Sequence, residues 1–89
     1  MVVYCIEKNR DIHENINMEN SRRLKNIGIN VKSERLRKGL SQEELAEKCE
    51  ISRNSVSLIE TGKINPTILR VIDIAKVLSV DVNELIKDA

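Results

Sequence analysis

Aromatic side chains are nearly missing from this 89-residue chain, which has one tyrosine, Tyr4, and neither phenylalanine nor tryptophan. A core must then come from Ile, Leu, Val and Ala. That composition suits small packed helices better than sheets built on aromatic cross-strand pairs. Cysteine is scarce as well: Cys5 and Cys49 lie far apart and outside any CxxC arrangement. A disulfide framework or a zinc site would need more ligands at closer spacing, so no metal is expected. The single His13 has no second metal ligand near it and reads as a solvated polar residue. No apolar run approaches the roughly 18 residues that span a bilayer. The N-terminus lacks a basic start followed by a long apolar stretch, so no secretory signal is expected and a reducing cytoplasm is the expected location. A nucleophile–base pair and a Gly-rich phosphate loop are also missing, and the chain is not expected to be an enzyme or to carry a cofactor.

What is present is a localised charge imbalance. Net charge is only +1. Residues 22–39, however, carry Arg22, Arg23, Lys25, Lys32, Arg35, Arg37 and Lys38 against Glu34 alone, for a local net charge of +6. Such a block fits a face held against phosphates, with a solvated helix as the plain alternative. Residues 1–21 are polar, net negative and Asn-rich, apart from the β-branched opening at 2–6, which predicts a short strand. They are read as an arm outside the main domain at 22–89, with Met18 as an alternative start.

From Leu24 the pattern turns helical. Leu24, Ile27, Val31, Arg35 and Lys38 make one stripe, ended by Gly39. Ser41 and Glu44 form a capping-box pair between Leu40 and Leu45, which opens a second helix burying Leu45, Ala46 and Cys49. Ser52 caps a third helix, stopped by Gly62. Pro66 and Thr67 open a fourth with a buried stripe at Ile68, Val71, Ile72, Ala75 and Leu78. Asp81 and Glu84 open a fifth. The expected helices are 22–38, 42–49, 53–61, 67–78 and 82–87, an all-α bundle.

The second and third helices, joined by a tight turn at 49–52, make a helix-turn-helix, whose second helix enters the DNA major groove. On a helical wheel Ser52, Ser55, Val56, Ile59 and Glu60 face the core. Arg53, Asn54, Ser57, Leu58 and Thr61 face outward. The outward set contains base-reading chemistry: Arg pairs with guanine, Asn with adenine, Ser with either, and an apolar group with the thymine methyl. Arg35 sits on an apolar stripe and Glu60 at the edge of another. Buried charges need partners, so the two are expected to pair.

The run LRKGLSQEELAEKCEISRNSVSLIETGKINPT, followed by IAKVLSVDVNELI, resembles the Cro/repressor or XRE-type helix-turn-helix family. The likeness covers about two-thirds of the chain. It implies a five-helix, lambda repressor-like DNA-binding domain that acts as a homodimer on double-stranded DNA with two-fold symmetry. Carried over by position, Ser52, Arg53, Asn54, Ser57 and Leu58 read bases. Gln42, Thr61 and Lys63 hold phosphate, and Arg35–Glu60 is a structural ion pair. The family usually has Gly in the turn where this chain has Glu50, and the arm has no counterpart. With no second domain, no small-molecule ligand is expected. Val82, Leu85 and Ile86 on the last helix are the expected dimer interface. The function expected is a transcription regulator of the repressor or controller type. The alternative is an interaction module, such as an antitoxin whose main partner is a toxin protein.

Overall fold

The computed structural model describes the backbone of residues 2–89 and the side chains from residue 20 onward. Five helices follow one another: α1 Val2–Arg37, α2 Gln42–Cys49, α3 Arg53–Glu60, α4 Ile68–Leu78 and α5 Val82–Ile86. The described residues contain no strand. Residues 2–6, where β-branched composition suggested one, are the first part of α1 instead. Strand propensity is a weak preference that needs a partner strand, whereas a helix satisfies its backbone within the segment. The first helix thus runs through the boundary expected at residue 22. Cys5 and His13 lie outside the described side chains.

The helix starts are set locally. Ser41 accepts from the Glu44 amide, and the Glu44 carboxylate accepts from the Ser41 amide at 2.9 Å, a reciprocal capping box. Ser52 accepts from the Ser55 amide and Thr67 from the Arg70 amide. At α5 there is no reciprocal box between Asp81 and Glu84. Asp81 accepts from Asn83, and Glu84 turns forward to pair with Lys87 at 3.3 Å.

The core is aliphatic, with Val31, Leu45, Val56, Ile74, Leu78 and Leu85 essentially sealed from solvent. α1 packs on α3 and α5, and α2 packs on α3 and α4. The α4 stripe is Val71, Ile74, Ala75 and Leu78, with Ile72 half-buried. Ile68, expected inside, is 63% exposed and Leu69 is 69% exposed. The first turn of α4 therefore extends beyond the packed body, and periodicity cannot report where a neighbouring element stops.

Gly28 sets the approach of α1 to α3. A Cβ there would stand 2.4 Å from the Glu60 carbonyl oxygen and 2.5 Å from that of Ile59. Only a glycine lets the two backbones come this close. At the other end of the domain, Asn30 donates to the Leu85 and Lys87 carbonyls at 3.0 and 2.8 Å. Asn26 donates to that of Asp88 at 2.7 Å. These amides satisfy carbonyls at the C-terminal end of α5, which are left without intrahelical partners, and tie it to α1.

Candidate nucleic-acid interface

α2 and α3 are joined by Glu50, Ile51 and Ser52. Glu50 closes α2 in the left-handed conformation, at φ 58° and ψ 41°. Its amide bonds to the Glu47 carbonyl, and the Ile51 amide bonds back to Ala46 at 3.0 Å, so the α2 carbonyls are capped. The turn geometry is thus the one that glycine favours, carried here by a glutamate at a cost of about 1 kcal/mol. Cys49, just before it, is buried. Burial pushes its thiol pKa up, with the Arg70 charge working the other way, so it is held as a neutral thiol.

α3 holds Val56, Ile59 and Glu60 inward. Arg53 and Asn54 are exposed on its first turn, while Ser57 and Leu58 are half-buried on the same side. The Ser52 hydroxyl is already engaged: it caps the Ser55 amide at 3.0 Å and bonds the Ser55 hydroxyl at 2.9 Å. After α3, Thr61 donates its hydroxyl to the Ser57 carbonyl at 2.8 Å. Lys63 is exposed on the following turn, its amide bonded to the Leu58 carbonyl at 2.9 Å.

Behind this surface lies a charged network. Arg35 Nε stands 2.6 Å from Glu60 Oε2 and donates a second bond from Nη2 to Oε1 at 3.1 Å. The two side chains are 7% and 2% exposed. The remaining arm of Arg35 donates to the Leu40 carbonyl at 2.7 Å. Gln42, the first residue of α2, also donates its side-chain amide to Glu60 Oε1, at 3.0 Å. One carboxylate therefore joins α1, α2 and α3. Nothing in the sequence flags the Gln42–Glu60 bond, because the partners are 18 positions apart and neither is unusual where it stands.

The basic block divides in the structure. Arg35 is buried and neutralised, and Arg37 pairs with the buried Glu34 at 3.1 Å. Arg22, Lys25, Lys32 and Lys38 are on the surface. The Lys25 backbone lies against Gly62, beside Lys63, which brings the basic segment of α1 to the C-terminal end of α3. The expected interface residues on α5 separate too. Leu85 is fully buried in its own core, Val82 is half-buried against that core, and Ile86 is 38% exposed. Of the three, only Ile86 is substantially open to a partner.

A short capped helix, a left-handed turn and a second short helix with Arg and Asn on its exposed face define a DNA-binding helix-turn-helix transcription regulator. A helix-turn-helix family profile matches residues 31–85, and the chain belongs to that family. It is 36% identical over 60 residues to an uncharacterised HTH-type transcriptional regulator, y4dJ, of Sinorhizobium fredii, covering 67% of this chain and 78% of that one. Among solved structures it is similar to the restriction-modification controller protein C.AhdI of Aeromonas hydrophila. Identity there is 31% and the TM-score 0.71, with 73% of this chain and 94% of that one covered. It is also similar to the hypothetical transcription factor NHTF from Neisseria, at 31% identity and a TM-score of 0.68, with 74% and 77% covered. The DNA-binding domain of BldD is similar at 28% identity and a TM-score of 0.68, with 74% and 96% covered. Among the described residues no helix is long and apolar enough to cross a membrane.

Proposed function

We propose that this regulator binds operators of two-fold symmetry as a homodimer, in the manner of a repressor or a controller protein. Arg53 and Asn54 read base edges, with Ser57 and Leu58 beside them. Gln42, Thr61 and Lys63 hold the phosphate backbone. The observation that carries this reading is the pairing of Arg53 with Asn54 on the exposed first turn of α3. These are the side-chain types that bond guanine and adenine bidentately, at the end of a recognition helix that enters the groove. Ser52, whose hydroxyl caps the helix, contributes to base contact through what remains of its hydrogen-bonding capacity.

The homodimer follows from the size of the site. One recognition helix covers too few base pairs to mark a unique position, and two-fold pairing sets two such helices about 34 Å apart, one turn of DNA. Apolar groups are available for that pairing at Ile68 and Leu69, and at Ile86 on the last helix. On this reading, control lies in protein concentration and operator arrangement, and the protein works in the cytoplasm, where its DNA is. Selection of bound sequences from random DNA tests the reading as a whole. The expected result is a palindrome with half-sites one helical turn apart. Recovery of unrelated sequences with no shared half-site would count against it.

A further inference from the structure

We infer that Glu60 is a positioning residue for DNA binding: its buried carboxylate holds the Gln42 amide in place for its phosphate contact. The inference rests on the reading of Gln42 as a phosphate-binding residue. A glutamine on an open helix start samples many rotamers, and binding DNA would have to freeze one of them. Here one Nε2 proton is already donated to Glu60 Oε1 at 3.0 Å. The carboxamide keeps a second N–H for a phosphate oxygen.

The anchor is itself immobile. Glu60 is 2% exposed at its side chain and is gripped by two donors of Arg35. Arg35 also holds the Leu40 carbonyl, two residues before Gln42, so one guanidinium fixes both the anchor and the backbone leading into α2. Charge matters as well. An unpaired carboxylate behind Gln42 would repel the phosphate, and the Arg35 guanidinium cancels it. The ion pair thus does more than join α1 to α3: it presents a neutral, pre-set donor at the start of α2.

The test is a double-mutant cycle read by fluorescence anisotropy, using the full chain and a duplex that this chain selects from a randomised pool. Gln42→Ala is introduced into the native chain and into the Arg35→Met/Glu60→Leu variant, which removes the acceptor without leaving a lone buried charge. In the native chain Gln42→Ala is expected to weaken binding about fivefold. In the apolar background the same change is expected to cost less than about twofold. An equal loss in both backgrounds overturns the positioning role while leaving the phosphate contact intact. No loss in the native chain removes the contact itself, and the inference with it. Should the apolar variant not fold, nitrogen relaxation of the Gln42 side-chain amide in the free native protein decides. Rigidity close to that of the backbone supports the inference. Motion equal to that of the exposed Asn54 amide overturns it.

Discussion

Arg35 and Glu60, 25 positions apart, meet in a two-point ion pair closed over by the core, with Nε 2.6 Å from Oε2. Each would be a costly guest on an apolar helix stripe. Together they satisfy one another, and no buried polar side-chain atom among the described residues lacks a partner. Arg35→Ala should therefore leave Glu60 buried and unpaired and reduce stability by about 3–5 kcal/mol. The Arg35→Met/Glu60→Leu double variant should recover most of that loss. Equilibrium urea unfolding of both variants checks this. A loss below about 0.5 kcal/mol for Arg35→Ala would be the behaviour of an exposed pair.

The recognition helix makes a separable prediction. Arg53→Ala should cost about 1–3 kcal/mol of binding and relax preference at one base pair of the selected operator. Lys63→Ala should weaken all sequences alike and reduce the salt slope by about 1. Binding isotherms at several salt concentrations, on operator and on random duplex, distinguish the two. Unchanged operator binding by Arg53→Ala would mean the register of α3 in the groove is misassigned.

The turn carries a small, removable strain. Glu50 is left-handed at φ 58° and exposed, so Glu50→Gly should stabilise the fold by about 0.5–1 kcal/mol. The opposite holds for Gly28, where a methyl group would meet the Ile59 and Glu60 carbonyl oxygens at 2.5 and 2.4 Å. Gly28→Ala should push α1 off α3 at a cost of about 1–3 kcal/mol. Thermal melts of the two variants should shift in opposite directions.

Acid should weaken the start of α2. The hydrogen bond from the Ser41 amide, and then that from its hydroxyl, hold the Glu44 pKa below the ordinary glutamate value, with Lys48 adding to them. A carboxylate whose pKa falls on folding contributes stability above its unfolded pKa, and loses it as pH drops through the folded value. Native and Glu44→Gln proteins should therefore differ at neutral pH and converge as the pH falls through the folded value. Urea unfolding across that range checks it. A difference that stays constant with pH would show that the carboxylate charge is irrelevant to the cap.

The proposed homodimer is tested at Leu69. Being 69% exposed, it can be changed to Glu with little effect on the fold of the protomer. Sedimentation equilibrium is expected to give a dimer for the native chain and a monomer for Leu69→Glu, with half-sites then bound independently. A dimer that survives Leu69→Glu unchanged would move the interface elsewhere, with Ile86→Lys as the next variant.

Short-range physics makes much of this protein readable from the sequence itself. A cap links residues two or three apart, so Ser41, Ser52, Thr67 and Asp81 marked the starts of α2, α3, α4 and α5 directly. Helical period alone put Val56 and Ile59 inward and Arg53 and Asn54 outward. The pairing of Arg35 with Glu60 was legible because a charge on an apolar stripe needs a partner, and each of the two stripes offered one. Tertiary structure decided the rest. Whether a leucine on α5 covers the core or awaits a second subunit depends on where α1 lies, and Leu85 is sealed while Ile86 is open. Ile68 has the right period for burial but stands beyond the end of the packed body. The close approach at Gly28 and the Gln42–Glu60 bond have no local sign in the sequence, because each is a distance to a residue on another helix. Those distances exist only once the aliphatic core has brought α1, α2 and α3 together.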